Sequence, residues 1–260
     1  MAILLLITNV ITVALFLLAL HHIRRYRRDK RIALNLWDTL PVIPLQQLDP
    51  IFKRTALGPT LASEVVFISA GDGLVPGATS DFEAAILATL AKTAHTMFEF
   101  GTCTGRTTYL WARNSPSDAK VITITLHPND IASYTPGGDD QHLAELVAVD
   151  ESSFDSFYYS GTDVEHKVEQ LFGDSKKCDY SAFAGKCDLI FVDGSHAYSY
   201  VKSDSENALK MLAPNGIILW HDFRGPESDT RDVNRYLMEF AIDHTLYRIK
   251  GTSFVVFRNA

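Results

Sequence analysis

Residues 97–105, Met97-Phe98-Glu99-Phe100-Gly101-Thr102-Cys103-Thr104-Gly105, restrict the fold more than any other stretch of the chain. An apolar run reaches an acid and then breaks at Gly101 and Gly105. Arg106-Thr107-Thr108-Tyr109-Leu110-Trp111-Ala112 follows and reads as a helix start. Strand, glycine loop and helix N-terminus in this order cradle a nucleotide-like ligand. Glycine lets the backbone come close, and the helix end offers free N–H groups. The spacing is E-x-G-x-x-x-G. A dinucleotide fold calls for G-x-G-x-x-G, which these glycines do not supply.

From this loop onward, strand and helix patterns alternate. Expected strands are 97–100, 121–126, 168–172, 187–192 and 217–220, followed by 244–249 and 253–258 joined at Lys250-Gly251-Thr252. Expected helices are 81–93, 106–114, 198–212 and 229–241, the first capped by Thr79 or Ser80 with Glu83 in the capping-box position. The pattern predicts an α/β fold: a Rossmann-like, seven-stranded, mostly parallel sheet with a terminal antiparallel hairpin and helices on both faces. The polar segment 127–163 is long for a plain loop and reads either as a lid or as a short helix at 140–148 with surface loop.

The N-terminus has a different character. Residues 2–20 are almost wholly apolar, and Arg24, Arg25, Arg27, Arg28, Lys30 and Arg31 follow with only Asp29 against them. The run to Ile23 is about 30 Å long as a helix, the thickness of a bilayer core. With its charge on the wrong side for a cleaved signal peptide, 1–23 is expected to be a transmembrane anchor. Residues 24–60, with Pro41, Pro44, Pro50 and Pro59, are then a basic juxtamembrane segment and linker, and 61–260 the catalytic domain. The positive-inside rule places that domain in the cytoplasm of a single-pass membrane protein.

The net charge is −7. Residues 1–31 carry +5, which leaves −12 on the remainder. So acidic a body excludes a nucleic-acid partner, since binding phosphates needs clustered Lys and Arg. Three cysteines, Cys103, Cys178 and Cys187, form neither a disulfide framework nor a zinc pattern.

Ligands of open α/β sheets bind beyond the carboxyl ends of the strands. Those ends carry Glu99 and Gly101, Leu126 and His127, Asp174, Asp193, and His221 with Asp222. Four of the five bear an acid, which points to one shared site.

Phe98-Glu99-Phe100-Gly101-Thr102-Cys103-Thr104-Gly105 resembles the first motif of class I S-adenosylmethionine-dependent methyltransferases. Val192-Asp193-Gly194-Ser195-His196-Ala197-Tyr198 and Trp220-His221-Asp222-Phe223 are similar to the small-molecule O-methyltransferase branch grouped as methyltransferase family 24. The resemblance implies that Glu99, Phe100, Gly101, Thr102, Thr104 and Gly105 line the methionine part of S-adenosyl-L-methionine. It places Asp174 and Ser175 near the adenine and Asp193 beside the methyl donor. The family's ribose-binding acid after the second strand has no counterpart, Asp130 being the nearest acid.

Metal-dependent relatives carry one acid after the fourth strand and an acidic pair after the fifth. Asp193, His221 and Asp222 therefore either hold Mg²⁺ or another divalent metal, or cap their loops. The histidine departs from that pattern and favours Mn²⁺, Fe²⁺ or Zn²⁺. His196 either takes the acceptor's proton, making Asp193 and His196 the catalytic pair, or only hydrogen-bonds its loop. The implied activity is O-methylation of a hydroxyl on a small molecule, sugar or lipid-linked glycan. The alternatives are a metal-dependent hydroxylase-like enzyme on the same sheet and a non-catalytic membrane-tethered adaptor.

Overall fold

The computed structural model describes residues 12–13, 15–24, 40–71, 77, 79–224 and 229–259. Residues up to Thr39 form one unit, and Leu40–Ala260 form a second.

In the first unit, residues 15–24 are helical. Among the described residues, no helix is long and apolar enough to cross a membrane. This corrects the expected transmembrane anchor over 1–23 and the membrane localisation built on it. Residues 1–11, 14 and 25–39 lie outside the described residues, and with them Arg25–Arg31 of the basic cluster.

The second unit is built on one sheet. Its strands are β1 (Val42–Ile43), β4 (Thr96–Phe100), β5 (Lys120–Thr125), β6 (Val168–Phe172), β7 (Cys187–Val192), β8 (Leu212–Trp220), β9 (Tyr247–Ile249) and β10 (Val255–Arg258). A separate small ribbon pairs β2 (Arg54–Thr55) with β3 (Gly58–Pro59). The main order is β1-β9-β10-β8-β7-β4-β5-β6. Strands β4 to β8 run parallel, and β10 is antiparallel to both β8 and β9.

The sheet has eight strands, not the expected seven. The extra strand, β1, comes from the proline-rich stretch and pairs in parallel with β9. Pro41 and Pro44 hold it to two residues at the sheet edge, where proline costs no ladder bonds. The short helix α1 (Leu45–Leu48) follows it.

Helices α2 (Asp81–Ala91) and α3 (Arg106–Asn114) cover one face of the sheet. Ile86, Leu87 and Trp111 pack there against Met97, Leu189, Phe191 and Leu219. Helix α5 (Tyr198–Met211) is anchored to β8 by a bond from Trp220 Nε1 to Ser205 Oγ (2.9 Å) and packs beside α6 (Arg231–Phe240). Strand periodicity turns Met97 and Glu99 toward α3, whereas Phe98 and Phe100 meet Tyr180 on the other face. Helix α4 (His142–Glu151) falls in the long polar segment, where Leu126, Tyr134, Ala144, Ala148, Ala197 and Tyr200 form a second apolar cluster.

The stretch read as a linker contributes Leu48 and Phe52 to the main core, both buried. Phe52→Ala in the full chain is expected to lower unfolding stability by about 3 kcal/mol, the cost of truncating a buried phenylalanine. Urea unfolding measures it, and an unchanged midpoint would mean that the arm does not pack.

Candidate active site

Two glycines set the geometry of the loop after β4. Gly101 has φ +96°, and a Cβ there would fall 2.0 Å from the carbonyl oxygen of Asp193. Only glycine lets the end of β4 press so closely on the end of β7. Gly105, φ +74°, is the N-cap of α3. Its missing side chain is replaced by Phe157, whose Cβ would lie 2.8 Å from a Cβ at this position. The aromatic group Phe157–Tyr159 closes over the loop: Tyr158 N–H donates to Thr104 O (3.0 Å), and the Phe157 and Tyr159 rings stack. The Arg106 side chain turns away, donating to Ile68 O, Thr79 O and the Asp81 carboxylate, and so ties these three residues together.

Beyond the ends of β4, β5, β6 and β7 lies a cleft of about 510 Å³, open mouth included. Of the residues expected to bind cofactor, Phe100, Gly101, Ser175 and Asp193 line it. Glu99 and Thr102 are buried beneath the loop instead. Glu99 Oε2 accepts from Thr108 Oγ1 and from Thr123 Oγ1 (2.8 Å). The Thr102 hydroxyl lies 2.8 Å from that of Thr123 and accepts from Gln170 Nε2. Burial pushes the Glu99 carboxyl up to about 8, against the two threonine hydroxyls and with added repulsion from Asp193.

Asp174 is buried at the end of β6 but is taken up locally: Lys177 Nζ lies 2.8 Å from Oδ2, and Lys176 N–H donates to Oδ1. At the end of β5, Thr125 and Leu126 face the cleft. His127 turns back to accept from Asn129 N–H, and Asp130 is exposed. No acid stands there to meet a ribose.

Two acids line the cleft that sequence reasoning did not single out. Glu151, the last residue of α4, is pushed up to about 7 by burial. Asp204 on α5 is likewise pushed up to about 7 by burial. Asp204 had a sequence signal, an acid interrupting the apolar stripe of Val201, Ala208 and Met211. Glu151 had none, because only the folding of the polar segment brings it in.

The deepest part of the site gathers Asp193, His196, His221, Asp222 and Glu83. His221 Nδ1 is 2.8 Å from Asp193 Oδ1 and 3.3 Å from Asp222 Oδ2, and Nε2 is 3.5 Å from Glu83 Oε2. His196 Nε2 is 2.7 Å from Asp222 Oδ2, and Arg224 Nε holds Oδ1 at 2.8 Å. Burial alone would lower the His221 pKa, but the Asp193 and Asp222 carboxylates outweigh it and raise it well above the ordinary value. His196 likewise overcomes burial through its bond to Asp222 and reaches about 9. Asp222, despite burial, is held well below the carboxylate range by the two imidazoles. Glu83 is also lowered despite burial, by His221 and by bonds from Ser253 and Ser80.

Asp193, His221 and Asp222 each offer one ligand atom within 4.8 Å of the others. Two carboxylates and an imidazole, with Glu83 behind the imidazole's second nitrogen, fit a borderline divalent ion such as Mn²⁺, Fe²⁺ or Zn²⁺ better than Mg²⁺.

The parallel sheet ends in an antiparallel hairpin, and a glycine loop after its central strand meets acids at successive strand ends. Residues 98–223 match the family described as a methyltransferase domain. No curated protein matches the chain. Solved structures similar to it include an S-adenosylhomocysteine-bound methyltransferase, PaMTH1, from Podospora anserina, with 18% identity over 70% of this chain and 80% of that one and a TM-score of 0.48. The O-methyltransferase TomG from Streptomyces achromogenes, involved in tomaymycin synthesis and bound to S-adenosylmethionine, has 19% identity over 70% and 82%, with a TM-score of 0.46. An O-methyltransferase from Bacillus cereus, bound to S-adenosylhomocysteine, has 18% identity over 71% and 83%, with a TM-score of 0.47.

The protonation of the site fixes a stability profile. Glu99, Glu151 and Asp204 have folded pKa values above the ordinary carboxylate range, so their cost grows as pH rises from about 4 through those values. The stabilisation from His196 is complete below about pH 6.5 and is lost as pH rises through its folded value of about 9. Both effects have the same sign. The thermal midpoint of the cofactor-free chain is expected to fall between about pH 6 and pH 9, and Glu151→Gln to flatten the fall. A flat or rising midpoint, followed by circular dichroism, would contradict the buried protonation.

Proposed function

We propose that the chain transfers the methyl group of S-adenosylmethionine to a hydroxyl oxygen of a small-molecule acceptor. The observation that carries this reading is the His196–Asp222 pair beside Asp193. His196 Nε2 is bound to the Asp222 carboxylate, while Nδ1 is buried with no hydrogen-bond partner among the described residues. With the proton on Nε2, the lone pair on Nδ1 is free to accept the proton of an incoming hydroxyl. Asp222 fixes that tautomer and stabilises the imidazolium that forms, the logic of a histidine–aspartate pair in acyl transfer.

The methyl donor binds along the cleft, its methionine end at the glycine loop and its adenine beyond Ser175. Asp193 stands where a sulfonium needs a nearby anion. Glu99 supports the loop from beneath through Thr108 and Thr123. Methyl transfer to oxygen is an in-line displacement, so the donor carbon and the acceptor oxygen must be held close and the oxygen unprotonated. A divalent ion on Asp193, His221 and Asp222 would act as a Lewis acid, easing loss of the acceptor's proton. Its binding displaces the proton from His221, so affinity for Mn²⁺ should rise with pH.

The test is transfer of labelled methyl from S-adenosylmethionine to a panel of phenols, catechols and sugars. The expected product is a base-stable methyl ether. Label appearing only on nitrogen or on protein would overturn the reading. With an accepted substrate, His196→Gln is expected to lower turnover by about 10²- to 10⁴-fold while leaving cofactor affinity within a few fold. Turnover of the unmodified enzyme should climb with pH toward about 9, as the His196 base form appears. A variant as active as the parent would remove His196 from the chemistry.

A further inference from the structure

The adenine end of the cleft lacks the acid expected there. Asp174 follows β6 at the position the motif assigns to the base, yet its carboxylate is held locally, Oδ2 ion-paired with Lys177 though without a hydrogen bond, and Oδ1 accepting from Lys176 N–H. It is not among the residues facing the cleft. The carboxyl that does face the cleft beside Ser175 is Asp204, from the middle of α5.

Asp204 is 2% exposed, and its Oδ1 has no hydrogen-bond partner among the described residues. A buried carboxyl oxygen without a partner is costly, at about 1–3 kcal/mol or more, unless something completes it. Oδ2 lies below the loop after β7, 3.7 Å from where a Cβ on Gly194 would sit. The wall around it is aromatic: Tyr134 and Tyr200 stack at 4.5 Å, and Lys176 Nζ caps the Tyr200 ring. A flat, heteroaromatic group suits that wall, and a group carrying a donor beside an acceptor suits that carboxyl.

We propose that Asp204 reads the edge of the adenine, with Oδ1 accepting a hydrogen from the 6-amino group. This rests on the reading of the cleft as the cofactor site. The edge of adenine presents an N–H donor next to a ring-nitrogen acceptor. A carboxyl that keeps its proton matches both, accepting through one oxygen and donating through the other. Burial favours that protonated form against a hydrogen bond from Ser175, and Asp174 nearby adds to it while Lys176 opposes. A purine that lacks the 6-amino group leaves Oδ1 without its donor, whereas a 6-carbonyl would not be rejected, since a protonated carboxyl can carry its proton on either oxygen. Asp204 therefore sets base specificity, and it works from a helix rather than from the strand end where the motif looks for it.

The test is calorimetry of the full chain with S-adenosylhomocysteine and with its analogue lacking the 6-amino group, in which purine replaces adenine. The parent protein is expected to prefer the adenine ligand by at least about tenfold. Asp204→Ala should lose about 10- to 100-fold in affinity for S-adenosylhomocysteine, the scale of two neutral hydrogen bonds to a buried carboxyl. Its affinity for the analogue without the amino group should fall by about tenfold less than that for the adenine ligand, which erases the preference. Asp204→Asn, whose amide also pairs an acceptor with a donor, should restore the preference. Circular dichroism of both variants separates loss of binding from loss of fold. A folded Asp204→Ala that keeps the parent's preference would overturn the role of Asp204 and leave the cofactor reading intact. Failure of the parent to bind either ligand would overturn the cofactor reading and this proposal with it.

Discussion

Gly101 and the carbonyl of Asp193 share a space that no side chain could enter. A Cβ on Gly101 would stand 2.0 Å from that oxygen, so the loop after β4 and the loop after β7 meet backbone to backbone. The pairing of β4 with β7 runs up to Phe100 and Val192 and delivers both loops to the same height. The cleft opens on one side of this contact, and the acid–histidine cluster lies on the other. Without the contact, the glycine loop and Asp193 would not meet at one end of the sheet.

On the cluster's side, one imidazole lets several carboxylates occupy a dry space. His221 lies against Asp193, Asp222 and Glu83, and each comes from a different part of the chain. Glu83 completes the capping box of α2 with Ser80 and also accepts from Ser253 beside β10. The helix that opens the domain, the hairpin that closes it and the two central strand ends are thus tied to one buried charge. Burying carboxylates together is affordable only when each has a cation or donor beside it. The same arrangement leaves His196 with one nitrogen anchored on Asp222 and the other free. Structural cohesion and proton handling draw on the same side chains.

Much of this was legible in the sequence. Runs such as Val121–Thr125 and Cys187–Val192 announce strands, and the acids that end them mark a shared edge. Asp193, His196, His221 and Asp222 do converge as their positions after β7 and β8 imply. Other features turn on contacts that a linear pattern does not carry. Val42–Ile43 is a strand only because β9 offers it an edge; two residues between prolines have no period to read. The apolar N-terminal run suggests a membrane span on hydropathy, whereas among the described residues no helix is long and apolar enough to cross one. Asp174 was read as facing the adenine because of its place after β6, but the lysines two and three residues on compete for it. Glu151 enters through packing of the 127–163 segment, which has no periodicity of its own.

The central claim is that the glycine loop and the end of β7 form one cradle for S-adenosylmethionine. Calorimetric titration of the full chain with that cofactor, alongside Gly101→Val, tests it most directly. Saturable one-to-one binding by the parent and none by a folded variant is the expected result, since the valine side chain would occupy the place of the Asp193 carbonyl. Equal binding by both proteins, or none by the parent, would contradict it.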